Sequence, residues 1–587
     1  MAGEEELTNR STDVVTFTIL IDSNEISSDY HVQAIVVGKK VNRIPWAKII
    51  FYDGDAAGQD FMISNQQDFM PGKEIEIKAG YHGEEETIFK GIIIKHGIKA
   101  KSNRASELMV ECRDVAIKLT GQRKSAYYTN ALDSDIITDI IESYNITADV
   151  ESTGIEQPET VKYDCTDWDF IVSRAESNGF LVIPDDGTLR VSPPDPGQDP
   201  VLTLSYGISI IEFEAEMDAR NVFSSVKSST WDLKIQDLAE EEGSGPDFSE
   251  PGNFSINDIS GIIHSDELNL FHGGERKTEE MKAWADAKLL KSHLAKIRGR
   301  VRLEGYAQLK PDNMVTLEGV GDRFNGNVFV SAVTHQIYGG NWLTDIEIGL
   351  APEWFSESHK DIDHPPASGL IPAIQGLHIG KVVQLGEDEL EGDHRVLVRI
   401  PFIEKNGGTD AKGIWARMSN VFAGENRGMI FRPEVEDEVI IGFINGDPRN
   451  AVVLGALNSN KFPAPTEAND DNFEKGIYTK GEMKLTFDDD KKHIKLETKS
   501  GNSVLLSEDE AGIIIADENS NTITMSSDGI SIESAKDIIL KASGDIKMEG
   551  NNVEQTAQMS YKATGTSGVE VTASGNTVIK GALVQIN

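Results

Sequence analysis

The chain has 587 residues and a formal net charge of −41 at pH 7, with 97 acidic side chains against 56 Lys and Arg. So acidic a surface argues against a binder of phosphate backbones, which needs a basic footprint and gains affinity by releasing counterions, so no nucleic-acid partner is expected. The length exceeds what one core supports, and three or four domains are expected. With 39% hydrophobic residues, 7% aromatic residues and 53 glycines, the composition favours β-rich domains with tight turns over a large α/β enzyme.

Cys112 and Cys165 lie far apart, with no thiol or histidine at ligand spacing. Two reduced, buried thiols are the expectation, not a disulfide or a zinc site. The start, MAGEEELTNR, lacks the basic and apolar character of a secretory signal. No apolar run approaches the roughly 20 residues that span a bilayer. The chain is therefore expected to fold in the cytoplasm, without stable membrane insertion.

Residues 13–130 read as a first β-domain. Residues 14–21 are β-branched and apolar, Glu74-Ile75-Glu76-Ile77 alternates, and an apolar run over 89–94 follows the turn Tyr81-His82-Gly83. Residues 131–200 read as a mixed α/β segment. Ile136, Ile137, Ile140 and Ile141 recur at helical spacing over 133–144, with Ser134 or Asp135 placed to cap the start. A second helix fits 167–178 and ends at Gly179.

Residues 201–355 read as a second β-domain carrying an acidic surface insertion at 235–275, where AEEEGSGPDFSEPGN combines few apolar residues with several breakers. A helix over 278–296 follows, with Met281, Ala285 and Leu289 on one stripe. Residues 356–374, which include SESHKDIDHPPASGL, read as a linker.

Residues 375–458 are compact and β-only. Arg395-Val396-Leu397-Val398-Arg399-Ile400-Pro401 forms one strand. Strands at 438–443 and 451–454 pair through the turn residues Asn445-Gly446-Asp447-Pro448. About 80 residues with five or so strands fit an OB-type barrel.

Residues 459–587 carry an eight-residue period. Ile530, Ile538 and Ile546 keep the spacing, as do Ile532, Leu540 and Met548, and Gly529, Asp537 and Asp545 precede them in register. Paired apolar positions two apart within such a period mean a stack of short strands, each with one buried face. One chain can supply three faces of a coil, or three chains can each supply one. The blurred repeat over 551–568, before Val569, Val571, Val578 and Val584, favours the second modestly. Each buried Ile contributes about 1.5–3 kcal/mol.

Several motifs match a known family. Cys165-Thr166-Asp167-Trp168-Asp169-Phe170, then Arg174-Ala175-Glu176 and Asn178-Gly179, form a "TDWDF…RAE…G" helix. Gly413-Ile414-Trp415-Ala416-Arg417 is a tryptophan strand. Ala423-Gly424, Gly428, Pro433-Glu434-Val435, Asp437-Glu438-Val439 and Gly446-Asp447-Pro448 follow in order, with Glu436 where the pattern usually has glycine. With this domain order, the chain resembles the VgrG family, spikes of contractile injection systems built like the hub and spike of contractile phage tails.

The resemblance covers residues 13–587 apart from the acidic insertion. It implies a mainly β fold, with hub-like β-barrel domains and a few helices, an OB-fold barrel, and a C-terminal intertwined trimeric β-helix over 459–587. It implies a structural homotrimer at the front of the inner tube, docked to a hexameric Hcp-like tube protein, baseplate proteins and a PAAR-like tip protein. Ile530, Ile532, Ile538, Leu540, Ile546 and Met548 would form the needle core. Trp168, Trp415, Gly446, Asp447 and Pro448 would be family-motif core. The stretch at 325–355, NGNVFVSAVTHQIYGGNWLTDIEIGLAPEWF, is most similar to spikes of extracellular, phage-tail-like particles.

The chemistry of an enzyme is missing from the sequence. It has no Gly-rich phosphate loop with Lys, no HExxH and no GxSxG, and residues 458–500 leave no room for a lysozyme domain. His493 is the last histidine and no HxH occurs, so a self-made metal tip is not expected. Asp53-Gly54-Asp55 and Asp488-Asp489-Asp490 read as turns and solvated faces. No catalytic, cofactor or metal residue is assigned. The ending on Leu583, Val584 and Ile586 suggests no fused cargo. The rival readings are a trimeric phage-tail or surface fibre, which would need an export signal, and a polysaccharide-degrading β-helix enzyme, which would be monomeric with a cleft of acids.

Overall fold

The computed structural model describes residues 14–586 apart from 103, 387–393, 404–412 and 510–511. The N-terminal decapeptide and Asn587, on which the expectations about export and the chain end rest, lie outside the described residues. The fold is mainly β, with 42% of residues in strands and 11% in helices. Two compact units divide the chain: residues 1–376 with 443–450, and residues 377–442 with 451–587.

In the first unit, thirteen strands share one sheet. Alternation drives its early strands: Ile75 and Ile77 are buried on Glu74–Tyr81 while their Glu neighbours face outward. The sheet runs through Val32–Lys40 into Gly326–Tyr338, with Ile35 opposite Ile337 and Val37 opposite His335. It continues through Asn341–Ile348 and Ile297–Glu304 to Glu212–Met217. One core gathers Ile35, Ile49, Phe51 and Phe89. A second gathers Val301, Leu303, Val315 and Ile346. The strands before 130 and those after 201 therefore form two cores stitched by one continuous ladder.

Between them, the helices Asp133–Glu142 and Asp167–Ser177 pack Ile136, Ile137, Ile140 and Ile141 against Trp168, Ile171, Val172 and Ala175. Neither Ser134 nor Asp135 caps the first helix, contrary to expectation. Its cap residue is Leu132, with no side-chain cap bond. The helix begins at Asp133, so both residues fall inside its first turn. Asp133 accepts from Arg174 Nε at 2.8 Å and Nη2 at 2.6 Å, and from Asn178 at 2.9 Å, tying the two helices together. Its charge still suits the positive end of the helix.

The second helix ends in a full Schellman motif. Gly179 has φ +76, its N–H donates to Glu176 O, and Phe180 N–H donates to Ala175 O. Gly179→Ala should cost about 1–2 kcal/mol, because any Cβ crowds the backbone in a left-handed conformation. A urea-unfolding midpoint unchanged from wild type would contradict this.

The acidic stretch 235–275 is not the plain surface insertion expected. Asp237–Glu242 and Glu267–His272 flank Ser225–Asp232 in a three-stranded sheet. That sheet lies on the helix Thr278–Leu294, where Met281, Ala285 and Leu289 are buried. Ser228 Oγ donates to Met281 O at 2.9 Å. The breakers fall in the connections, while Leu238, Leu268 and Leu270 suffice to hold strands once a partner strand is present.

In the second unit, His378–Gln384, Arg395–Arg399, Ile414–Met418, Ala451–Leu457 and Glu438–Phe443 close a five-stranded barrel. Val382, Val396, Val398, Ala416, Val439, Ile441 and Val453 fill it. Seven short antiparallel strands follow in sequence, from Glu474–Tyr478 to Gly529–Glu533.

Candidate functional site

The second unit changes character after the barrel. Beyond Val453 no described residue is buried within the single chain. Strands of four or five residues leave Ile494, Leu496, Leu506, Ile513, Ile515 and Met525 between 36% and 55% exposed. The octad residues are more open still: Ile530 is 70% exposed, Ile532 56%, Ile538 53%, Leu540 70%, Ile546 54% and Met548 62%. Ile530 and Ile532 sit on the last strand, and the other four lie beyond it. A monomeric soluble surface rarely carries a contiguous apolar strip of this length, and such strips mark association surfaces.

The motif residues are placed differently. Trp168 is 5% exposed in the helical core. Trp415, opposite Leu397 on the barrel wall, is only half-buried. Asn445 and Gly446 both take positive φ, +53 and +68, and Asp447 N–H closes the turn onto Ile444 O. A Cβ on Gly446 would sit 3.3 Å from that of Ala373. Hydrogen bonds from the Arg449 guanidinium at 2.9 and 2.6 Å, and from its backbone N–H, hold the Asp447 carboxyl down at about 2. Pro448 follows in the same connection. Glu436 has φ +84, which explains why a glycine suits this position; here the residue ion-pairs with Lys381.

Trp168, Gly446, Asp447 and Pro448 lie in the first unit and Trp415 in the second. Among the described residues, no group of three or more His, Cys, Asp or Glu side chains converges to hold a metal. Asp53 accepts the N–H groups of Gly54, Ile63 and Ser64 and so organises a loop. Asp488 accepts Lys491 N–H in a turn. Among the described residues, no helix is long and apolar enough to cross a membrane.

Sequence reasoning missed the buried ion pairs. Lys162 and Asp167 are almost fully enclosed and bonded to each other, with Lys124 and Tyr144 also on the carboxylate. Burial pushes the Asp167 carboxyl up, but hydrogen bonds from Lys162, Tyr144 and Lys124 outweigh it and leave the group below its usual range. Lys291 and Glu176 form a second buried ion pair, and the enclosed Lys296 pairs with the partly exposed Glu250. Nothing in the spacing of these residues marks them as partners.

The family model described as the Alg8 N-terminal domain matches residues 11–339, more than half of the chain. The chain belongs to that family. Two further models complete the order: the Type VI secretion system/phage-baseplate injector OB domain matches 378–457, and the phage baseplate V C-terminal trimerisation domain matches 493–554. The chain is thus a VgrG-type spike protein. It is similar to the actin cross-linking toxin VgrG1 of Vibrio cholerae, 32% identical over 100 residues, 16% of this chain and 9% of that protein. It is also similar to the type VI secretion system spike protein VgrG1c of Pseudomonas aeruginosa, 29% identical over 105 residues, 18% of this chain and 14% of that protein. The matches therefore span only a small share of these relatives. A tail protein from Neisseria meningitidis is similar in structure, with TM-score 0.44 and 14% identity, covering 58% of this spike protein and 98% of that chain.

Proposed function

We propose that this spike protein acts as a homotrimer at the front of the inner tube of a contractile injection system. It joins a hexameric Hcp-like tube to a pointed needle that pierces the target envelope on contraction. The observation that carries this reading is the exposed octad strip, which overlaps the matched trimerisation segment. Three copies wound about one axis bury Ile530, Ile538 and Ile546 together with Ile532, Leu540 and Met548. The winding also pairs their backbone groups and leaves no long lateral edge. Stiffness then comes from interlocked strands, and the role is structural, not enzymatic.

In this reading baseplate proteins surround the hub-like domains, and a PAAR-like tip protein caps the needle. The chain is made in the cytoplasm and leaves inside the particle, an extracellular one given the 325–355 stretch. Light scattering of the purified chain should give three times the 64.3 kDa chain mass. A stable monomer would overturn the reading and favour the polysaccharide-cleaving alternative.

A further inference from the structure

A second feature lies in the first unit: the three-stranded sheet that the acidic stretch builds. Ser228 Oγ donates to Met281 O and Thr230 Oγ1 to Met281 Sδ, so both residues face the helix Thr278–Leu294. Alternation then turns Lys227, Ser229 and Trp231 to the other face. Register places Leu238 beside Trp231 there, and Phe271 beside Ser229. Trp231 is 40% exposed, Leu238 48% and Phe271 70%, and Leu233 and Ile235 in the adjoining turn are more than half exposed. Aromatic and aliphatic side chains left open together mark an association surface.

Beyond this apolar end the same face is acidic. Glu240 stands opposite Ser229 and Glu242 opposite Lys227. Lys227 Nζ pairs with Glu267 at 2.6 Å, and among the described residues neither Glu240 nor Glu242 forms a salt bridge of its own. Both are exposed. They lie on Asp237–Glu242, an edge strand: Ser225–Asp232 is the middle of the sheet, and no further described strand pairs with either flank. Such an edge offers a row of backbone N–H and C=O groups to any strand that can approach it.

Charge decides which strand that is. The same edge of another copy would set carboxylate against carboxylate across the ladder, and like charges directly opposite are destabilising. Two whole chains, each at −41, repel as well. A strand with Lys or Arg at alternate positions instead meets Glu240 and Glu242 with opposite charge, while an apolar residue two places further on falls beside Leu238. We propose that the Asp237–Glu242 edge is a docking site for a positively charged, extended segment of another protein, which joins the sheet as a fourth strand. Main-chain hydrogen bonds hold the segment, and the alternation of cations along it selects it. The proposal is independent of the needle reading, because it concerns the first unit alone.

Fluorescence anisotropy with two labelled, end-blocked peptides and the full chain tests it. One peptide reads Val-Thr-Lys-Thr-Lys-Thr-Val, which suits either strand direction. The other, Val-Val-Thr-Thr-Thr-Lys-Lys, has the same composition and charge without the alternation. About 150 mM salt screens long-range attraction to an acidic protein. The alternating peptide should bind, and the other should bind about fivefold more weakly or worse. Glu240→Lys together with Glu242→Lys should lower affinity about tenfold or more, and Leu238→Ser several-fold. All three positions are exposed, so these variants should fold. Four results overturn the proposal: no binding of the alternating peptide, equal binding of the two peptides, unchanged affinity in the charge-reversed variant, or a change in molar mass of either variant by light scattering. The last would assign the face to a neighbouring copy of this chain.

Discussion

Ile538→Asp is expected to abolish the trimer. In the proposed trimer, three-fold winding brings the three copies of residue 538 to the axis, so the substitution places three carboxylates together where no solvent screens them. Charges 4 Å apart repel by about 4 kcal/mol even at an effective dielectric constant of 20. The three lost Ile side chains add about 1.5–3 kcal/mol each. Purified variant should run as monomer or aggregate and lose heat resistance.

Ile539→Ser is the matched comparison. Its octad equivalents are Ser531 and Lys547, so position 539 faces outward in the proposed trimer, and Ile539 is 83% exposed against 53% for Ile538. That variant should assemble normally. Normal trimer yield from Ile538→Asp would defeat the axial arrangement, while failure of both variants would point to general fragility of the tail.

Asp167→Ala should strongly destabilise the first unit. The Lys162 side chain is 1% exposed and Asp167 4%. Removing the carboxylate leaves a buried ammonium without a counter-charge and frees Lys124 and Tyr144 as well. Breaking one partner of such a pair costs about 3–5 kcal/mol. Asp167→Asn keeps an acceptor and should lose less.

The pH dependence has a definite sign. The Asp167 carboxyl lies below its unfolded value of about 3.9, so its contribution is present above that pH and fades as pH falls through the lower folded value. The gap between wild type and Asp167→Ala, measured by urea unfolding, should therefore be constant near neutrality and narrow in acid. A gap that widens in acid would refute the assignment.

Local patterns carried much of the fold. The strand Glu438–Phe443 lies at the bounds its apolar run suggests. The helices expected over 133–144 and 167–178 end within two residues of those positions. Each rests on a short-range rule: alternation, helical spacing, or a glycine after the last turn. The cap of the first helix was misjudged for the opposite reason. Ser134 and Asp135 are the expected caps, but the helix begins at Asp133, whose carboxylate is engaged by Arg174 of the second helix.

By itself, then, the sequence determined the mainly β class, the individual strands of the barrel, the turn at Asn445 and Gly446, and the octad rhythm of the tail, because a residue's neighbours within a few positions set all of these. The tertiary structure alone decided that Val32–Lys40 pairs with Gly326–Tyr338, that the acidic stretch forms strands over the helix Thr278–Leu294, and that Asp312 meets Arg190. Such pairings join segments far apart in the chain. Their energy comes from desolvation and geometry at the meeting point, which no local spacing records.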